Sequence, residues 1–196
     1  MKRLTTAAVL FVFAGFVLAG TSTGNAPLAP KIAFVAAPSP TPSATPSPTP
    51  APVVTSQESP DGSTTATLTR TGDVTTLAVK NTVIYTAHTG SVTVLSLPAN
   101  TWSPNNKYLF IKEVNPVVTT YLVMKGDGTP FGKDLPSLDV ASYFAANYPG
   151  ATITEVTGWA SPYLLVVNIK NAAGAKQSLW FDITSHHFIP LAEYFN

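Results

Sequence analysis

No cysteine stands anywhere in the 196 residues. That excludes a disulfide framework, a thiolate metal site and a lipid-bearing cysteine, so the fold must hold through its core alone. Charge is scarce too: Asp, Glu, Lys and Arg make up 11% of the chain, and the formal net charge is +1. Without Lys2 and Arg3, nine basic residues face ten acidic ones. A chain this close to neutral, with no run of Lys or Arg, has no electrostatic footprint for nucleic acid or an anionic membrane surface. The histidines are few: His88 alone, and the adjacent pair His186-His187. Adjacent side chains on a strand point to opposite faces, so the pair is poorly placed to share a metal. There is no Glu-x-x-His and no Gly-x-Ser-x-Gly elbow. Asp127 with Asp134 is a thin oxygen set for Ca²⁺, which takes six to eight ligands. The expectation is therefore no cofactor, no metal site and no catalytic residue, hence not an enzyme.

What is present begins with a leader. Met1-Lys2-Arg3 is basic, Leu4 to Ala19 is apolar, and Gly20-Thr21-Ser22-Thr23 supplies small residues. This is the layout of a secretory signal peptide over residues 1–20, with Val17-x-Ala19 ahead of the cut. Left uncut, residues 4–20 sit at the lower edge of the length that spans a bilayer and would act as an anchor. The chain is expected to be secreted or extracytoplasmic, with any membrane contact made only through this segment.

Residues 21–53 follow as a linker. Between Pro38 and Pro52 the chain is built from Pro, Ser, Thr and Ala. Proline removes backbone donors, and beside proline nothing apolar larger than Ala is available to bury, so this stretch predicts an extended, solvated polyproline II spacer. The folded part is expected over residues 54–196, enough for one core and too short for two ordinary domains.

Beyond residue 60 the apolar pattern has period two, as in Thr65-Ala66-Thr67-Leu68, Val74-Thr75-Thr76-Leu77-Ala78-Val79 and Tyr108-Leu109-Phe110-Ile111. Short β-branched runs separated by Thr71-Gly72-Asp73, Asn81-Thr82, a hairpin turn at Thr89-Gly90-Ser91 and Lys125-Gly126-Asp127-Gly128 predict an antiparallel, all-β domain. One stretch departs from this. Residues 137–148 are Ala-rich, with Leu138, Ala141, Ala145 and Tyr148 at helical spacing, Ser137 as cap and Pro149-Gly150 as stop. They predict one short helix near 138–147.

Three stretches repeat one pattern: Glu58-Ser59-Pro60-Asp61-Gly62, Trp102-Ser103-Pro104-Asn105-Asn106 and Trp159-Ala160-Ser161-Pro162. Pro60 to Pro104 is 44 residues and Pro104 to Pro162 is 58. The helix with its entry and exit accounts for the extra 14, so the underlying period stays near 44, which suits a four-stranded propeller blade. With Thr120-Tyr121-Leu122-Val123-Met124-Lys125-Gly126-Asp127-Gly128 after the second copy, the pattern resembles the WD40-like propeller repeat of the TolB and dipeptidyl-peptidase amino-terminal type. The resemblance covers most of Ser59 to Ile183 and is silent on function. Three copies do not close a ring of four to eight blades, so the expected fold is an incomplete, open propeller with one inserted helix, unless several chains complete a ring.

Trp102 and Trp159 are expected to be equivalent, buried blade-core residues. Of Trp180 and Phe181, one should face inward, and Tyr194-Phe195 should pack as a closing strand. The functional expectation is an exported non-catalytic module engaging a protein partner or serving a structural role at the cell envelope, with homo-oligomers as one form of that role. The alternative is binding of a small ligand, carbohydrate or peptide, through exposed aromatic residues, for which Trp180, Tyr121 and His187 are the candidate contacts. Limited proteolysis should cut first within 38–52 and release a resistant fragment starting near residue 55. Protection of Thr41 to Thr49 would contradict the linker assignment.

Overall fold

The structure, a computed structural model, describes residues 51–195; the leader, and all of the Pro38–Pro52 stretch except Ala51 and Pro52, lie outside the described residues. From Val53 onward the chain lays down three four-stranded antiparallel sheets, each a simple meander. The first holds β1 (Val53–Glu58), β2 (Thr65–Thr71), β3 (Val74–Val79) and β4 (Thr82–His88). The second holds β5 (Val94–Ser96), β6 (Tyr108–Val114), β7 (Thr119–Lys125) and the two-residue β8 (Leu138–Asp139), followed by helix α1 (Val140–Asn147). The third holds β9 (Thr152–Ser161), β10 (Leu164–Lys170), β11 (Lys176–Asp182) and β12 (His187–Pro190). The domain is all-β, open and propeller-like in arrangement, and none of its sheets closes into a barrel.

The residue patterns explain why the second sheet lies in the middle. On β2 and β3 burial alternates: Ala66, Leu68, Leu77 and Val79 go inward, while Thr67, Thr69, Thr76 and Ala78 stay half-exposed. That is a sheet with one wet face. On β6 and β7 the run is apolar on both faces. Leu109, Ile111, Leu122 and Met124 join the cluster shared with the first sheet, and Phe110, Tyr121 and Val123 join the cluster shared with the third. The period-two reading of Tyr108–Ile111 is corrected here, since a strand buried on both sides needs no polar alternation.

Helix α1 starts two residues later than expected, and the cap is Asp139, whose side chain accepts from the backbone N–H groups of Ala141 and Ser142. A carboxylate at this position satisfies two of the orphan donors of the first turn, which Ser137, still in the preceding loop, does not reach. The buried helix residues are Val140 and Phe144, not Ala141 and Ala145. Phe144 stacks on Tyr148 at 5.1 Å and meets Phe188 edge-on at 5.6 Å, tying the helix to the third sheet.

Thr89-Gly90-Ser91 is not a hairpin turn: it carries the chain from β4 to β5, that is from the first sheet to the second. Thr89 donates its N–H to Asp73 O, and Arg70 donates to Gly90 O at 2.6 Å, which hold this crossing. The last residues form no closing strand. Instead Leu191 N–H bonds Ser178 O, Phe195 N–H bonds Ser178 Oγ, and Asn168 Nδ2 donates to Phe195 O, so the tail is strapped across buried polar groups of β10 and β11 while the Phe195 ring stays exposed.

Two seams join the three sheets and share one pattern. Between the first and second, Trp102 Nε1 donates to Gln57 O at 3.1 Å and Gln57 Nε2 donates to Ala99 O at 3.0 Å. Between the second and third, Trp159 Nε1 donates to Thr101 O at 3.0 Å and Asn100 Nδ2 donates to Thr157 O at 3.0 Å. In each, an indole of the later sheet reaches back to a carbonyl two residues ahead of the earlier Ser-Pro, and an amide of the earlier sheet reaches forward. Trp102 stands opposite Leu109, and Trp159 stands opposite Leu165. The extra residue of the third copy, Ala160, is absorbed by a register shift between Leu164 and Leu165.

Trp102 is 5% exposed, whereas Trp159 is half-buried against Tyr108 and Phe110. Gly126 makes room for the Trp102 ring, since a Cβ there would sit 2.9 Å from Cζ3. Trp102→Ala should destabilise by about 3–5 kcal/mol through the cavity it leaves. Trp102→Phe should restore only part of this, because it leaves Gln57 O without its indole donor. Urea unfolding followed by circular dichroism checks both, and a phenylalanine variant as stable as the parent would refute a role for the indole N–H.

Candidate functional site

The first two Ser-Pro turns have the same hydrogen bonds, atom for atom. Ser59 Oγ donates to Asp61 Oδ1, Asp61 Oδ1 accepts Ser63 N–H, and Ser59 Oγ accepts Thr64 N–H. Ser103 Oγ donates to Asn105 Oδ1, Asn105 Oδ1 accepts Lys107 N–H, and Ser103 Oγ accepts Tyr108 N–H. The third turn keeps only Tyr163 N–H on Ser161 Oγ. Asp127 and Asp182 repeat the local pattern, each accepting the backbone N–H and hydroxyl of the threonine two residues on, Thr129 and Thr184. These bonds hold the Asp61 and Asp127 carboxyls below their usual range. At Asp182 partial burial pushes upward and is outweighed by Thr184 and Ser185.

Where β1 and β9 meet the segment between β5 and β6 there is a cleft of about 560 Å³. Trp102, Trp159, Pro60 and Pro104 contribute its apolar surface, and Gln57, Glu58, Asn100 and Thr157 its polar groups. Gly158 forms part of it at φ 142°, where a Cβ would come within 2.7 Å of the Asn100 side chain. Beside the cleft, Tyr108 gathers Phe131 at 6.0 Å, Trp159 at 6.4 Å and Tyr163 at 5.8 Å. This aromatic group was not singled out from the sequence, because Phe131 arrives on the Gly126–Leu135 loop and Tyr163 from a turn, with no periodicity to connect them. A second cavity, about 240 Å³, lies at the first seam and is lined by Thr64 and Asn106, whose Oγ1 and Oδ1 are buried without a partner. A polar site of that size suits ordered water.

The three residues named from the sequence are not brought together. Tyr121 is 1% exposed and faces the core between the second and third sheets, where no surface ligand reaches it. Its hydroxyl has no partner in hydrogen-bond geometry, although the Val156 backbone N–H lies near enough to bear on it, and burial pushes its pKa up. Trp180 and His187 lie on the other face of the third sheet, Trp180 paired with Ile189 and His187 with Asp182. Trp180 is half-buried while Phe181 faces the core. His186 lies against the Tyr143 ring at 4.8 Å, and His88 and His187 are exposed. Among the described residues no three of His, Cys, Asp and Glu are placed to hold a metal ion.

A different surface is apolar without cover. Val94 pairs with Val114, and the next turn, built on Asn115 Oδ1 accepting the N–H groups of Val117 and Val118, holds Val117 93% exposed at its tip. Val92, Val94 and Val118 are exposed as well, and Val53 shares a depression with Val94 across the first seam. Val94 and Val114 are neighbours through strand pairing, Val117 and Val118 follow Val114 in the chain, and Val53 meets Val94 in the same depression, so these exposed valines are grouped rather than scattered singly. Their signal in the sequence was Val117-Val118 in a turn, a position that favours polar residues.

No family model, no curated protein and no solved structure matches this chain.

The matched turns allow an internal comparison of charge. Asp61 is held below its ordinary value near 3.8, so the bonds it accepts are fully present above that value and are lost as pH falls through the lower folded pKa. Asn105 does not titrate. On acidification below pH 3.8 the Ser63 amide should lose protection while the Lys107 amide keeps it, as read by amide exchange. Equal loss at both would show that the Asp61 bonds contribute nothing.

Proposed function

We propose that the chain is an exported, non-catalytic module that engages a protein partner at the cell envelope, and that its three sheets are degenerate WD40-like repeats in an open propeller. The two seams and the two matched Ser-Pro turns support the repeat reading. The observation that carries the functional reading is the contiguous valine surface from Val53 through Val94 and Val114 to Val117. Exposed β-branched apolar side chains cost solubility and, in a module stabilised by its own core, serve no folding purpose, whereas covering them on association is favourable by roughly 25 cal/mol per Å². The surface begins at Val53, the residue after Pro52, so the Pro-rich segment joins the domain at the face that binds. A semi-rigid spacer there sets how far that face stands from whatever holds the amino terminus.

A photo-crosslinking residue in place of Val117, in the exporting cell, should yield one discrete protein adduct, and the same residue in place of Thr86 on β4 should yield none. Val117→Lys should abolish capture of that partner without lowering thermal stability. Adducts of equal yield at both positions, or none at Val117, would contradict the reading.

A further inference from the structure

The β6–β7 pair has two ends. At one, Val114 pairs with Thr119 and the valine turn follows; at the other, Tyr108 pairs with Lys125 beside a depression of about 350 Å³. Paired residues share a face, and Phe110 with Val123, next but one along the same pair, packs toward the third sheet. Tyr108 and Lys125 therefore point the same way. Lys125 Nζ lies 5.5 Å from the Phe131 ring, which itself stacks on Tyr108, and donates to Pro130 O.

Asp127 also lines this depression. Its Oδ1 takes the amide and hydroxyl of Thr129, and among the described residues its Oδ2 accepts nothing. The Thr129 bonds lower its pKa first, and Lys125 adds to them. Burial, then Tyr163 and Asp127, raises the pKa of Tyr108. Both effects put the carboxylate beside Lys125 and the Tyr108 phenol.

Among the described residues Tyr108 and Tyr163 are hydrogen-bonded through backbone atoms alone, which leaves both phenol hydroxyls unpaired. Tyr163 is 42% exposed and meets Tyr108 in a T-shaped contact at 5.8 Å. Such a contact takes at most one face of a ring, so Tyr163 keeps a face toward solvent. The free groups are thus a carboxylate oxygen, two phenols and an aromatic face, with the exposed Lys107 at the margin.

We propose that this depression binds a pyranose unit of a neutral saccharide, with sugar hydroxyls on Asp127 Oδ2 and the Tyr108 phenol and a C–H face against the Tyr163 ring. A carboxylate oxygen accepts charge-assisted bonds from hydroxyls, a phenol both donates and accepts, and the negative face of an aromatic ring attracts polarised C–H groups. A cationic ligand would join the ammonium groups of Lys107 and Lys125, and an anionic one would lie against Asp127. A neutral polyol meets neither repulsion.

The test uses the purified chain with chitotriose, cellotriose and maltotriose as probes, followed by calorimetry and by amide shifts in NMR. At least one should bind, shifting the Lys107, Asp127 and Thr129 amides and leaving Val117 and Val118 in place. Its affinity should hold when salt is raised, since a neutral ligand has no charge to screen. Tyr163→Ala should weaken binding at least about tenfold, whereas Tyr163→Phe, which keeps the ring, should retain most of it. Asp127→Asn should also weaken binding, while its own Oδ1 still accepts from Thr129 and preserves the turn. Binding of none of the three, shifts confined to other residues, an affinity that falls steeply with salt, or one that survives Tyr163→Ala would each overturn the proposal. None of these outcomes bears on the valine face, which is tested by crosslinking at Val117.

Discussion

Everything in this domain that lies between one sheet and the next depends on an indole N–H finding a backbone carbonyl across a seam. Hydrophobic burial between sheets is strong but non-directional, and it would tolerate sliding. The bonds from Trp102 to Gln57 O and from Trp159 to Thr101 O fix the relation of each sheet to the one before it. A buried indole N–H left unpaired costs a good part of its desolvation, so these contacts select one arrangement among the many that would bury the same area. Thr101 shows how closely the parts are coupled. Its carbonyl accepts both the Phe110 N–H within the second sheet and the Trp159 indole of the third, so sheet pairing and sheet stacking meet at one oxygen.

The middle sheet follows from this constraint. With neighbours on both sides, its two central strands are buried on both faces over Leu109–Ile111 and Thr120–Met124, whereas the first sheet keeps a threonine face toward solvent. The third ends under the strap of Leu191 to Phe195, which bonds Asn168 and Ser178, polar groups buried on β10 and β11. The first sheet thus turns a polar face to solvent, and the third is covered by a hydrogen-bonded tail.

Much of the fold was legible in the residues. The turn signals and β-branched runs specify antiparallel strands, and Pro60, Pro104 and Pro162 each fall between the first and second strands of one of the three sheets, with the helix after the second sheet. The helix was visible from its composition, but its cap was misassigned to Ser137 because a two-residue strand, too short to leave a pattern, carries the chain to Asp139 first. The sites were far less legible. Tyr121 is aromatic and sits in a motif, yet the strand that carries it is buried on both faces, which alternation does not reveal. The cleft is made by residues 42 to 58 positions apart, and the valine face by a turn tip and three strand ends. Both come from stacking, which local sequence does not encode.

The stacking claim has one direct measurement: solvent exchange of the three tryptophan indole protons, read separately by NMR. If the seams are held as described, the Trp102 and Trp159 indole protons exchange slowly, with scalar coupling across the bond to the Gln57 and Thr101 carbonyl carbons, while the half-exposed Trp180 exchanges fast. Three indole protons exchanging alike, with no such coupling at Trp102 or Trp159, would contradict it.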